Sequence, residues 1–280
     1  FSELPIYLLF IFLSLISIIG FGRLITMSLK INNSENNFLH YEFIVGIIFV
    51  SLISMVFNLF SPLIDLYNFL LLLSGLILFF FLKKNKQIFT FGCLSLLALA
   101  ISFFAGFNDD IDYHLNTIKN YKTLNLFEIE HKRRVSYNSN WLFISSIFTF
   151  EKYLYGLFVP VSLLYSIVIY DLFNAKKVSE KNKNSTLAVF SLFSIVFIIG
   201  VINNLKDFGT DIPGFLLLIL FMINILNFNF EKNNSIYLNK LFFLFLFCNF
   251  ALMIKITNSL IFLHLFVFIL CNYVSFIKIF

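Results

Sequence analysis

Apolar residues run along this chain in blocks. Stretches near 5–27, 42–61, 63–82, 88–107, 153–174, 186–204 and 212–229, and a longer one over 241–277, are separated by short polar breaks. A helix needs about 20 mainly apolar residues to cross roughly 30 Å of hydrocarbon. The pattern therefore predicts an all-α, polytopic transmembrane bundle of about eight to ten spans. Lys255 interrupts the last stretch and splits it into two crossings, the first of them short. Pro213 opens a span, where its missing N–H costs little. One break is long and polar, 108–140. Its residues Ile111, Leu115 and Ile118 stand at helical spacing, which predicts an interfacial helix over about 110–124. A following apolar segment, 141–150, is too short to span, and Trp141 at its start is expected at headgroup level.

Composition narrows the solvent and leaves the chemistry open. Of the 280 residues 60% are hydrophobic and 12% charged, with mean hydropathy +0.91. Soluble domains carry roughly a quarter charged residues, so this chain is not one of them. Cys93, Cys248 and Cys271 lie in apolar runs and fit neither a disulfide framework nor a zinc spacing. The excess of Phe, Ile, Asn, Lys and Tyr follows as readily from an A+T-rich genome as from any physical demand. Phe1 and Phe280 read as cut ends of a longer membrane protein.

The net charge of +5 speaks first to orientation. Lys83, Lys84 and Lys86, and later Lys176, Lys177, Lys181 and Lys183, read as basic loops facing the cytoplasm, with Arg23 and Lys30 on the same side. This places the 108–140 loop and the 203–213 turn on the outer face. The long loop holds five of the fifteen acids, five of the twenty bases and two of the four histidines. Charge is thus concentrated at one face, and nucleic acid is not an expected partner.

Several residues there could carry chemistry. Asp109, Asp110 and Asp112 with His114 form a carboxylate–imidazole group fit for general-base work or, as a carboxylate set, for a divalent cation. Their plainer role is to cap a solvated helix. His131, Lys132, Arg133 and Arg134, followed by Tyr137, Asn138 and Trp141, form a basic cluster suited to phosphate or, equally, to anionic lipid. Asp211 precedes a helix as either an N-cap or a substrate contact. Lys255 is costly within hydrocarbon unless it faces a cavity, a partner or the interface. Asp65 and Asp171 read as interfacial, and His40 and His264 as packing or interface residues. Motifs for ATP hydrolysis, serine hydrolysis and zinc proteolysis are missing from the sequence.

Asp109-Asp110-Ile111-Asp112-Tyr113-His114-Leu115 resembles the first outer-loop motif of the GT-C membrane glycosyltransferases. Three further features are similar to an uncharacterised family of bacterial multi-pass proteins encoded among surface-polysaccharide genes. These are His131-x-Arg133 leading to Tyr137-Asn138-Ser139-x-Trp141, then Asp211-Ile212-Pro213, then Lys255 in its apolar setting. Where those relatives carry a Ser/Pro-rich lead into the second Asp, this chain has Lys206-Asp207-Phe208-Gly209-Thr210. Three more spans precede the acidic motif here than in GT-C enzymes, so residues 1–87 read as an N-terminal extension to a core over 88–280, cut short at its C-terminus.

The resemblance implies an inverting glycosyltransferase of the bacterial inner membrane, acting at its periplasmic face. Its donor would be a polyprenyl-phosphate-linked sugar and its acceptor a glycan or lipid, with membrane lipids as further partners. Asp109, Asp110 and His114 would be catalytic. Tyr113, His131, Arg133, Arg134, Asn138, Trp141, Asp211 and Lys255 would contact substrate. No cofactor is required, although Asp109, Asp110 and Asp112 leave room for a divalent cation. A polysaccharide polymerase or ligase, or a non-enzymatic lipid or glycan transporter, are the alternatives. A purely structural membrane subunit is a third.

Overall fold

The computed structural model describes residues 3–29, 39–82, 88–104, 111–129, 140–150, 154–201, 211–227, 234–254 and 260–271. Within these, positions 104, 111–114, 129, 154–155, 181–182, 201, 211, 234–239 and 260 are described by backbone alone. The described residues form twelve α-helices and a short 3-10 helix, with no β-sheet. In chain order the helices are α1 (Leu4–Ser28), α2 (His40–Asn58), α3 (Asp65–Phe81), α4 (Ile88–Phe104), α5 (Ile111–Thr123) and α6 (Leu126–Ile129). They continue with α7 (Asn140–Phe148), α8 (Val159–Asn182), α9 (Ser185–Val201), α10 (Asp211–Leu226), α11 (Asn234–Ile254) and α12 (Leu260–Cys271). The 3-10 turn Leu154–Phe158 leads into α8, with Pro160 in its first turn.

Three helices are long and apolar enough to cross a membrane: Leu4–Ser28, His40–Asn58 and Gly156–Glu180. Six shorter apolar helices accompany them. Large apolar side chains such as Phe69, Phe80, Phe193 and Val196 face outward, and a single buried cluster runs from Ile11 in α1 to Leu265 in α12. Residues 1–87 and 88–280 thus share one core.

α1 is at the centre of its end of the chain, between α2, α3 and α4. Small residues let it come that close. A Cβ on Gly22 would meet the Glu42 carbonyl oxygen at 1.7 Å, and one on Gly46 the Ile18 carbonyl oxygen at 2.0 Å. On its other side Gly20 faces the Gly75 carbonyl of α3. Where hydrocarbon surrounds helices, backbone approach of this kind supplies the packing energy that water would otherwise drive.

The α8–α9 connection is tighter than the sequence suggests. α8 runs on to Asn182, so Lys176, Lys177 and Lys181 belong to the helix and not to a loop. Lys183 closes the helix in the left-handed conformation with φ 54°. The next residue, Asn184, donates its N–H to the Ser179 carbonyl at 2.9 Å, caps α9 through Oδ1 to the Leu187 N–H at 3.0 Å, and reaches the Leu226 carbonyl of α10. Two residues thereby turn the chain and tie three helices.

The helix expected over about 110–124 is α5, over Ile111–Thr123. The expected break at Lys255 lies outside the described residues, between the described spans of α11 and α12.

Candidate functional site

α4 ends, and α5 begins, around the acidic motif. The face of α5 that carries Thr117, Ile118 and Tyr121 is buried, whereas Asn116 and Lys119 are exposed. Ile118 packs with Leu157 and Phe158 of the 3-10 turn. The far end of the helix is fastened to the α2–α3 connection. Leu63 donates its N–H to the Tyr121 carbonyl at 2.9 Å, and buried Asn58 donates to the carbonyls of Ser61, Tyr121 and Leu124. Asp65 at the head of α3 takes an ion pair from Lys122. α6 then starts on a reciprocal cap, in which Asn125 and Glu128 each accept the other's backbone N–H at 2.9–3.0 Å. The platform that follows the acidic motif is therefore held at three points.

α7 lies against α5 and is buried throughout from Trp141 to Phe148. Phe143 meets Tyr121 edge to face at 5.0 Å. Ser51 of α2 donates to Asn140 Oδ1 at 2.9 Å, and Asn68 of α3 donates to the Ser146 carbonyl at 3.1 Å. Trp141 is 2% exposed and belongs to the main core, packed among helices of the chain itself. The segment is buried because its polar edges bond to α2 and α3.

Beside this platform is an apolar groove of about 680 Å³. The first half of α1, the first half of α3 and the last turn of α4 line it, with Phe150 and Phe158 closing one side. Ser102 and Phe103 on its wall stand seven and six positions before Asp109 in the chain.

Of the residues expected to act, Asp109, Asp110, His131, Arg133, Arg134, Asn138 and Lys255 lie outside the described residues. Asp112, Tyr113 and His114 fall in the first turn of α5, and Asp211 is the first residue of α10. Trp141 lies in α7, packed against the same α5. Among the described residues no three His, Cys, Asp or Glu side chains gather as a metal-holding group.

Two buried polar knots at the opposite end of the bundle were not foreseen. Arg23 Nε donates to Glu42 Oε2 at 2.9 Å, and its guanidinium lies 4.6 Å from the Phe79 ring centre and 5.6 Å from that of Phe91. The second knot centres on Asp171, which is fully buried among helices. Its carboxylate accepts the Leu39 N–H at 3.1 Å and the His40 N–H at 2.9 Å, capping α2 from a neighbouring helix, and lies 2.7 Å from His40 Nδ1. Asn224 sets its amide against His40 Nε2, with Nδ2 at 2.8 Å and Oδ1 at 3.1 Å, and donates to the Leu220 carbonyl. His40, stacked on Tyr41 at 4.4 Å, is a packing residue, as its sequence setting predicts. Arg23 and Glu42 were detectable as ionisable residues inside or beside apolar runs. Nothing local signals His40 and Asp171, which are 131 positions apart.

No match to the chain was found among curated proteins or among solved structures. Over residues 5–280, the chain belongs to the family described as Domain of unknown function (DUF8201).

Proposed function

We propose that the chain is a polytopic membrane protein of about nine spans and a glycosyltransferase of GT-C type, drawing its donor sugar from a polyprenyl phosphate. The observation that carries this reading is a juxtaposition. The Asp109–His114 motif stands between α4, whose last turn lines the apolar groove, and α5, which Asn58, Leu63 and Asp65 fasten in place. An acidic motif that follows α4 in the chain and an apolar groove lined by the last turn of α4 suit a substrate with a polar head and a hydrocarbon tail. The positive-inside pattern puts that end on the outer face.

In this mechanism Asp109, with Asp110 beside it, takes the proton from an acceptor hydroxyl as its oxygen bonds to the anomeric carbon. The bond from that carbon to the phosphate oxygen breaks at the same time, and the configuration inverts. Arg133, Arg134 or Lys255 stabilises the departing lipid phosphate, and His114 orients the base. Tyr113, His131, Asn138, Trp141 and Asp211 complete the substrate contacts.

Transport is the second reading, and one observation favours it. Arg23, Glu42, His40 and Asp171 place ionisable groups inside the bundle on three helices, as a substrate path would. Against this, none of the four lines the groove, and Arg23 is paired with Glu42 while His40 is joined to Asp171 and Asn224.

The test is the composition of the host's surface glycans by mass spectrometry, comparing wild type, deletion and Asp109→Asn. Loss of the same sugar or linkage in both mutants supports transfer by that carboxylate. A change on deletion alone removes Asp109 from the chemistry and moves transport ahead. No change in either sinks the glycan connection.

A further inference from the structure

We infer that His40, beyond its packing, is a proton-binding site inside the bundle, and that the proton taken or given up at Nε2 is coupled to the hold of α2 on α8 and α10. The inference goes beyond the transfer reading and does not depend on Asp109. It rests on the two ring nitrogens having partners of different kinds. Nδ1 lies 2.7 Å from the Asp171 carboxylate, which when ionised only accepts, so Nδ1 keeps its proton in either state of the ring. Nε2 faces the Asn224 amide, with Nδ2 at 2.8 Å and Oδ1 at 3.1 Å.

An amide offers a donor and an acceptor side by side. A neutral ring takes the Nδ2–H on its Nε2 lone pair, and a charged ring gives Nε2–H to Oδ1. The exchange needs a tilt of the amide and no new partner. A lone carbonyl in that place would serve the charged state alone, and a lone N–H the neutral one. Both amide atoms are within reach of Nε2, so the conclusion does not turn on which way round the amide is set.

Charge is matched as well. His40 and Asp171 are fully buried, where an unpaired ion is costly. The charged ring and Asp171 make a neutral pair. When the ring is neutral, the carboxylate still holds the Leu39 and His40 N–H groups at the positive end of α2. Tyr41 stacks on the ring at 4.4 Å and meets Phe243 of α11 at 4.5 Å, which keeps the ring between its partners. Other charged groups on the surrounding elements are Glu42 of α2, paired with Arg23 of α1, Lys176 and Lys177 further along α8, and Lys240 of α11, one turn before Phe243. α10 brings Asn224 and, at its far end, Asp211. The ring stands on α2, the carboxylate on α8 and the amide on α10, so every bond that the proton alters crosses between helices.

The chain has four histidines, so isotopic nitrogen labelling of histidine in the full-length protein, in lipid nanodiscs, gives few ring signals, and His40→Gln identifies those of His40. The expected result is a transition between about pH 5 and pH 8 in which Nε2 changes from protonated to unprotonated while Nδ1 keeps its proton. Asn224→Leu, which removes donor and acceptor, should abolish the transition and leave the ring neutral. Asn224→Asp, which when ionised only accepts, should hold the ring charged throughout. Hydrogen-exchange protection of the Leu39 and His40 amides, both bonded to Asp171, should shift with the midpoint of the Nε2 signal in the wild type and stay constant in Asn224→Asp.

A wild-type Nε2 that keeps one state over that range overturns the proton site, whether or not either variant folds. A transition that leaves the protection of Leu39 and His40 unchanged overturns the coupling. Folded Asn224 variants that titrate as the wild type does overturn the part given to the amide.

Discussion

At the scale of the residue, the molecule concentrates its cost in a few polar atoms withdrawn from solvent. Asp171 accepts three bonds in a fully buried position, two of them from the first N–H groups of α2. Asp171→Ala leaves those donors unmet and should destabilise the fold by about 3–5 kcal/mol, the range for removing one partner of a buried pair. Thermal unfolding followed by size-exclusion chromatography in detergent would read the loss, and a midpoint unchanged from wild type would contradict the capping role. Lys183 bears a different cost. Its left-handed φ of 54° strains any side chain with a Cβ, and the helix already ends there on a Ser179 carbonyl. Lys183→Gly should therefore stabilise by about 1 kcal/mol in the same assay. A drop in stability would mean that the lysine side chain makes a contact worth more than the strain.

At the scale of the element, glycine distinguishes helices that touch from helices that do not. Gly22 and Gly46 put the backbones of α1 and α2 in contact beside the Arg23–Glu42 pair, whereas Gly92 in α4 has nothing within 4 Å of where a Cβ would stand. Gly46→Leu must push the two helices apart and should cost more than the 1–3 kcal/mol typical of overpacking, since the neighbour is backbone. Gly92→Ala should add up to about 1 kcal/mol through helix propensity alone. Opposite shifts in melting temperature would confirm the distinction, and equal shifts would refute the α1–α2 approach. Helix ends follow the same local logic. Asn184 ends one helix connection and starts the next because one short amide side chain can cap and cross-link at once.

At the scale of the whole molecule, the two ends of the bundle differ in kind. One has the groove and the fastened α5 platform, and the other has sealed polar knots that join α1 to α2 and α2 to α8 and α10. The orientation proposed above predicts that a cysteine at exposed Asn116 reacts with a membrane-impermeant maleimide in intact cells, while a cysteine at Lys84 reacts only after permeabilisation. The reverse pattern would turn the bundle over and place the acidic motif in the cytoplasm, where the proposed donor geometry fails.

Hydrophobic runs by themselves determined the helical class, the positions of most described helices and the helix α5 in the long polar break. A 20-residue apolar period is a local property, and burial of backbone polar groups admits few alternatives to a helix. The acidic and basic motifs were legible for the same reason, as neighbours in the chain. Tertiary structure decided what no neighbour reveals. It buried Trp141 by bonding both edges of α7 to α2 and α3, and it set the Asp171 carboxylate of α8 on the start of α2. It also joined α1 and α3 to α4 around one groove. Each of these rests on partners far apart in sequence, and a contact of that range is chosen by packing and by the need to satisfy every buried polar group, conditions that only the assembled fold imposes.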